Sequence, residues 1–189
     1  MKRTRLSARL VLGTAALALS ACAQPGSLGS LPPAERAAAE RVQTSLNSIT
    51  SLSRGFTQTW PGGGTGRGVM DYTPGHLHLS YTWPQGTDLQ AGDGKLTFRD
   101  GTNGSVTHMG LSRNPLGLLL TTPIRLSGPV TVTSVLQSPG ALQISLARSA
   151  MLSEGLLTLR FADNGQTLSL SGIEVVDERQ HHISLALDP

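Results

Sequence analysis

Short runs of alternating apolar and polar residues make up most of the chain, which is the pattern of strands that bury one face. The clearest run is 76–83, whose apolar positions are Leu77, Leu79, Tyr81 and Trp83. Similar alternation predicts strands at 95–99, 130–135, 141–146, 157–161, 167–175 and 183–187. All of these runs should place one face against a core and the other in water.

Turn dipeptides separate these strands and indicate an antiparallel meander. They are Pro74-Gly75, Asp93-Gly94, Asn103-Gly104, Pro139-Gly140 and Asn164-Gly165. A single sheet of this length cannot leave its apolar face in water, so it must roll up or be covered by helices. The sequence therefore predicts a mainly β fold, in which a rolled sheet is covered by helical segments.

Only one long helical pattern is present. Pro32-Pro33 begins it, residues 34–48 continue it, and its apolar stripe is Ala38, Val42, Leu46 and Ile49. The short leucine-rich segment 115–120 is the other available cover.

The first 21 residues are predicted to be a signal peptide. Four basic residues precede the apolar run 10–19, which is too short to span a bilayer. Of the 15 Lys and Arg residues, eleven lie after this segment, against 12 Asp and Glu. The mature chain is therefore close to neutral and lacks the basic cluster that nucleic-acid binding requires.

Cys22 ends the sequence Leu-Ser-Ala-Cys and is the only cysteine. This sequence looks like a lipobox, which predicts that Cys22 is lipidated; the alternative is ordinary cleavage after Ala23, which would leave Gln24 first. In both cases the folded part contains no thiol, so disulfides, thiolate metal sites and a Cys nucleophile are excluded. We expect residues 22–33, rich in Gly, Pro and Ser, to form a flexible tether, and residues 34–189 to form one domain.

No chemistry-bearing motif stands out in the domain. The glycine-rich segment 62–68 lacks the Lys-Ser/Thr ending of a phosphate-binding loop and is predicted to be a hairpin loop. His76 and His78 share one strand face but have no third metal ligand at a recognisable spacing. Serine-hydrolase and zinc-protease motifs are also missing, so we expect no enzymatic activity, no metal and no cofactor.

A longer series of motifs resembles the outer-membrane lipoprotein carrier (LolA) family over almost the whole mature chain. The series runs through Leu-Asn-Ser-Ile at 46–49, Gly-Phe-Thr-Gln-Thr-Trp at 55–60, Gly-Arg-Gly at 66–68, Tyr-Thr-Pro-Gly at 72–75, Leu-His-Leu-Ser-Tyr at 77–81, Asp-Gly-Lys-Leu at 93–96, Asn-Pro-Leu-Gly-Leu-Leu-Leu at 114–120 and Leu-Thr-Leu at 157–159. Each motif alone is common, and it is their order and spacing that match.

The resemblance implies an incomplete antiparallel β-barrel, covered by the N-terminal helix and short lid helices, whose apolar cavity receives the acyl chains of lipoproteins. By position, the cavity residues would be Phe56, Leu77, Leu79, Tyr81, Leu116, Leu118, Leu119 and Leu120. The implied function is that of a periplasmic carrier or chaperone. Its implied partners are lipoproteins, the ATP-driven LolCDE complex of the inner membrane and an outer-membrane acceptor.

One position departs from the family. Where the family usually has an Arg before the Pro of the 72–75 turn, an Arg that holds the lid, this chain has Thr73, which carries no charge and has a short side chain. Thr73 is therefore the predicted lid-control position, and the resemblance leaves in doubt how cargo is handed onward.

Two alternatives to a carrier remain open at this point. If Cys22 is lipidated, the chain could instead be an acceptor resembling LolB, anchored to the outer membrane. It could also be a structural envelope lipoprotein with a filled core, because a packed core and a lipid cavity need the same residue types.

Overall fold

A single antiparallel sheet of eleven strands forms the body of the protein in a computed structural model that describes residues 28–189. Its strands are β1 Leu52–Thr59, β2 Thr65–Thr73, β3 His76–Trp83, β4 Asp88–Gly92, β5 Lys95–Arg99, β6 Val106–Gly110, β7 Val130–Ser138, β8 Ala141–Arg148, β9 Gly155–Asp163, β10 Leu168–Asp177 and β11 His182–Leu187. The predicted signal peptide 1–21 and Cys22 lie outside the described residues.

The strand order makes the sheet an open barrel. Strands β1 to β6 follow one another in the sheet, β11 back to β7 do the same on the other side, and β1 pairs with β11. Within residues 28–189, β6 and β7 are the two edges and do not pair with each other. The predicted mainly β fold, an incomplete barrel, is confirmed.

The connection between the two edge strands carries the lid. We call residues 111–122 the lid segment; it contains a 3₁₀ helix at Pro115–Leu118. Asn114 caps this helix, since its side-chain oxygen accepts a hydrogen bond from the Leu116 backbone N–H at 2.9 Å. The segment therefore lies where the barrel is open.

Helix α1, Pro33–Ser48, is the second cover; it begins in the predicted Pro32-Pro33 start and ends at the predicted residue. It buries Ala38, Ala39, Val42 and Leu46 against the sheet. Arg41 donates two hydrogen bonds to Asp163, of 3.0 and 2.8 Å, which hold the pKa of that carboxyl below its ordinary value. This pair joins the helix to the end of β9.

The residues that precede α1 are bound to it. Leu28–Ser30 form a 3₁₀ helix, and the Arg36 guanidinium donates to the backbone oxygens of Leu28, Gly29 and Leu31 at 3.1, 2.9 and 3.1 Å. Of the predicted tether 22–33, the part from residue 28 onward is thus attached to the domain.

The seven predicted strands are all present, and their ends lie within three residues of the prediction. Four strands were not predicted: β1, β2, β4 and β6. The glycine-rich segment 62–68 is also only partly a loop, because β2 begins at Thr65. Gly68 lies within this strand. Its neighbour β3 comes so close that only glycine fits, since an added Cβ would lie 2.0 Å from the Ser80 backbone oxygen.

Trp83 lies on the solvent side, although alternation predicted it on the buried face. Its side chain is 59% exposed, whereas Leu77, Leu79 and Tyr81 are buried as predicted. The β2–β3 register shifts between Arg67 and Gly68, opposite this end of β3. Such a bulge changes the direction of the strand and breaks the alternation beyond it.

No helix within residues 28–189 is both long enough and apolar enough to cross a membrane.

Candidate ligand-binding cavity

An apolar cavity of about 220 Å³ lies on the concave side of the sheet. Twelve of its fourteen lining residues are apolar, and the other two carry side-chain amides: Gln58, Trp60, Leu77, Leu79, Leu89, Leu96, Phe98, Met109, Asn114, Leu116, Ile173, Val175, Ile183 and Leu185. No Lys, Arg, His, Asp or Glu is among them.

Strand alternation explains how so many separate residues meet in one place. The wall formed by β3, β4 and β5 carries Leu and Phe at every second position, and β10 and β11 supply Ile, Val and Leu in the same way. Leu116 of the lid segment closes one side. The cavity therefore lies between the two halves of the open barrel.

Met109 connects the cavity with the surface. It lies on the edge strand β6, lines the cavity and is 44% exposed. A cavity of about 220 Å³ is smaller than the roughly 300–1,000 Å³ of most ligand sites. It would hold part of an acyl chain as it stands, and a longer portion only if the lid segment moved.

The eight predicted cavity residues fall into three groups. Leu77, Leu79 and Leu116 line the cavity. Phe56 and Tyr81 are buried next to it, and Leu118 and Leu119 are buried in the core. Leu120 is half-buried and borders a separate depression at the surface.

Several lining residues were not predicted. Gln58 and Trp60 follow Phe56 at intervals of two, Gln58 on β1 and Trp60 directly after its end, and this spacing was the signal that could have indicated them. The residues from β10 and β11 lie on predicted strands, but nothing in their local sequence separates a cavity wall from a filled core.

An aromatic cluster supports the wall near Gln58. Tyr81 packs edge to face against Phe56, with ring centroids 5.1 Å apart, and stacks on Trp60 at 5.9 Å. The Tyr81 hydroxyl donates a hydrogen bond to the Gln58 side-chain oxygen. Burial raises the pKa of Tyr81, so its hydroxyl stays protonated and remains a donor.

Hydrogen bonds from two strands hold the lid segment. The Arg148 guanidinium, at the end of β8, donates to the backbone oxygens of Leu111 and Asn114 at 2.8 and 3.4 Å. The Tyr72 hydroxyl donates to the Leu119 backbone oxygen at 3.4 Å. Arg148 and Tyr72 therefore hold the lid segment from opposite halves of the barrel.

Thr73, the predicted lid-control position, lies on the opposite face of β2 from Tyr72. Its side chain is exposed and borders a polar groove on the outer surface, together with His76 and His78. The residue next to it, Tyr72, is the one that makes a hydrogen bond to the lid segment.

Two polar atoms near the lid segment are buried without a partner among the described residues. They are the Arg148 Nε and one carboxylate oxygen of Glu154. The other oxygen of Glu154 accepts a hydrogen bond from Arg113, a residue of the lid segment, at 2.7 Å. Such unpaired buried groups offset part of the stabilisation that the hydrogen bonds give to the lid segment.

Replacing Arg148 by Met should loosen the lid segment. Because hydrogen bonds from a charged donor contribute about 1.5–3 kcal/mol, we expect a bound lipidated peptide to dissociate at least about tenfold faster. Backbone hydrogen exchange of residues 111–122 should rise as well. The matched control is Arg179→Met, at an exposed site with no side-chain hydrogen bond among the described residues. An unchanged dissociation rate in Arg148→Met would contradict the role of Arg148 in holding the lid segment.

A Ser, His and Asp group on the outer surface does not have the geometry of a catalytic triad. His78 Nε2 lies 2.5 Å from Asp88, and Ser80 Oγ lies 3.3 Å from the same nitrogen. In a triad the serine and the carboxylate contact opposite ring nitrogens. The group therefore serves as a polar contact between β3 and β4.

No protein-family model and no curated protein matches the chain, whereas solved structures do. One is the lipoprotein LppX of Mycobacterium tuberculosis, with 14% identity and a TM-score of 0.44 over 84% of this chain and 95% of that one. Another is a LolA superfamily protein of Nitrosomonas europaea, with 9% identity and a TM-score of 0.36 over 81% and 91% of the two chains.

A third is a DUF1329 family protein of Desulfovibrio piger, with 5% identity and a TM-score of 0.32 over 78% of this chain and 87% of that one.

Proposed function

We propose that the protein binds the acyl chains of lipoproteins in the cavity between the two halves of its barrel and takes part in moving them to the outer membrane. The observation that carries this proposal is the cavity itself, about 220 Å³ of apolar space under a lid segment. Leucine is the commonest residue of the lining, and such an apolar wall provides contacts for the methylene groups of an acyl chain.

The energetics require both a cavity and a partner. Burying a methylene group contributes about 0.8 kcal/mol, so one chain of about sixteen carbons prefers a bilayer over water by about 12 kcal/mol. An apolar cavity recovers part of this free energy, and an external energy source must supply the rest. The proposed source is an ATP-driven complex of the inner membrane, LolCDE by resemblance, and the proposed recipient is an acceptor in the outer membrane.

A membrane-fixed acceptor is the second candidate, because Cys22 follows a lipobox-like sequence. Both roles use the same cavity and differ in whether the domain leaves its membrane. A structural lipoprotein with a filled core is less well supported, since the space between β3–β5 and β10–β11 is not filled by side chains.

The test is to fill the cavity. Val175 is a half-buried residue of its wall, and Val175→Phe places an aromatic ring in the space. We expect binding of a fluorescent lipidated peptide to weaken about tenfold and the free energy of unfolding to rise by about 0.5–2 kcal/mol, as when other cavities are filled. Mass spectrometry of the purified wild type should also find bound acyl lipid.

Leu136→Phe is the control, because Leu136 is 58% exposed on β7 and does not line the cavity. It should change neither binding nor stability. If the core is filled, Val175→Phe would instead lower stability through overpacking, by about 1–3 kcal/mol. A decrease in the free energy of unfolding of Val175→Phe, together with absence of bound lipid, would overturn the proposal.

A further inference from the structure

Gln58 is a buried polar group in an otherwise apolar wall. It is 3% exposed, lies on β1 and lines the cavity. Its side-chain oxygen already accepts the hydrogen bond from Tyr81, but its NH₂ group donates to no residue within 28–189. This NH₂ group is therefore available to a ligand in the cavity that brings a hydrogen-bond acceptor.

Asn114 presents the same chemistry from the lid segment. Its side-chain oxygen is occupied by the Leu116 N–H, and in the described part of the chain its NH₂ group likewise has no acceptor. Both amides of the cavity wall therefore have their oxygens occupied and their NH₂ groups available. The cavity therefore offers two free donor groups, whereas each amide oxygen already accepts one hydrogen bond.

The absence of charged side chains from the cavity lining restricts the class of ligand further. An ionised carboxylate could accept from the two NH₂ groups, but no cation lines the cavity to compensate for its desolvation. A neutral carbonyl oxygen accepts the same hydrogen bonds without that cost. A plain hydrocarbon leaves both donors unpaired.

We propose that Gln58 and Asn114 bind the carbonyl oxygen at the head of an ester- or amide-linked acyl chain, so that the cavity selects acyl esters and amides over free fatty acids and hydrocarbons. This inference rests on the proposed function and names the ligand class of the same cavity. Gln58 is the fixed donor, because Tyr81 orients its amide. Asn114 adds a second donor when the lid segment is closed.

A competition assay tests the inference. The methyl ester, the free acid and the alkane of one chain length each compete, at neutral pH, with a bound fluorescent acyl probe. We expect the wild type to bind the ester about tenfold more tightly than the alkane, since one neutral hydrogen bond contributes up to about 1.5 kcal/mol. The ionised free acid should bind more weakly than the ester. Gln58→Leu should remove the preference for the ester, so that its ester and alkane affinities lie within about twofold of each other.

Two further variants keep the test informative. Gln58→Leu leaves the Tyr81 hydroxyl unpaired and could therefore destabilise the protein. In that case the double variant Gln58→Leu with Tyr81→Phe, in which both partners are apolar, takes its place in the binding assay. Gln137→Leu is the matched control, because Gln137 is exposed on β7.

The possible outcomes distinguish a failure of this inference from a failure of the proposed function. If the ester, the acid and the alkane bind the wild type equally, or if Gln58→Leu keeps the ester preference, the inference is wrong while the acyl-binding function stands. If none of the three ligands displaces the probe and no acyl lipid is bound, the proposed function itself fails.

Discussion

Replacing Leu79 by Glu is expected to weaken binding of a lipidated peptide at least about a hundredfold while the sheet remains folded. Leu79 is 2% exposed on β3, faces the cavity and pairs across the strands with Met70 and Leu89. A carboxylate at this place lies in an apolar cavity whose lining holds no cation. Its desolvation by an acyl chain costs several kcal/mol, and each 1.4 kcal/mol is a tenfold loss of affinity.

The effect of Leu79→Glu should depend on pH. Burial in an apolar cavity disfavours the charged form, so the pKa of the introduced carboxyl should rise above the ordinary value for Glu. Protonation at low pH then removes the charge and part of the penalty. Binding by the variant should accordingly be weaker at pH 8 than at pH 5, measured by fluorescence titration, whereas wild-type binding should change little.

Leu159→Glu is the control that separates a cavity wall from a packed core. Leu159 is fully buried on β9 and does not line the cavity, so no space is available for the carboxylate. We expect this variant to lose its fold, as seen by circular dichroism, while Leu79→Glu keeps the wild-type spectrum. If both variants unfold to the same extent, Leu79 is a core residue and the assignment of the cavity wall is wrong.

The sequence predicted the strands whose alternation is uninterrupted, and missed those in which other factors set the side-chain pattern. In β2 glycines occupy positions where the neighbouring strand comes close, such as Gly68 beside the Ser80 backbone. All five residues of the edge strand β6 are exposed, so this strand has no buried face to detect. Pairing with neighbours, which is not a local property, defines these strands.

The distinction between cavity and core could not be predicted in the same way. Leu116 lines the cavity, whereas Leu118 and Leu119, almost adjacent in sequence, are packed in the core. In the 3₁₀ helix Pro115–Leu118, three residues make one turn, so Leu116 and Leu118 point in different directions; Leu119 follows the helix. All three are leucines, so composition and periodicity carry no information on which of them meets empty space.

The contacts of the lid segment could not be predicted from local sequence for a different reason. The resemblance directed attention to Thr73, whereas Tyr72 and Arg148 are the side chains that donate to backbone oxygens of the lid segment. Arg148 reaches Leu111 across 37 positions in the sequence. Only the folded arrangement of β8 against the lid segment brings this guanidinium and that carbonyl together.

The fate of Cys22 determines which of the two proposed roles the domain can perform. We propose lipidation of Cys22, which would give the domain the second of these roles, that of a membrane-fixed acceptor. By the enterobacterial sorting rule, Ala23 rather than Asp after the cysteine would place the protein in the outer membrane. Stable anchoring requires two membrane signals, and a cysteine with three acyl chains exceeds this requirement. The wild type should therefore be recovered entirely in the membrane fraction, and Cys22→Ser in the soluble periplasmic fraction or as an unprocessed precursor.

The reach of an anchored domain would be short. Residues 23–27 separate Cys22 from Leu28, whose backbone is bound by Arg36. Five extended residues span at most about 18 Å, so the cavity would stay near its own membrane, where it could accept cargo but not carry it across the periplasm. Purified domains starting at residue 28 should bind a lipidated peptide as well as the full protein does, because the cavity lies within residues 58–185. Recovery of wild-type protein in the soluble periplasm, with Gln24 as its first residue, would contradict lipidation and favour a shuttle that moves between membranes.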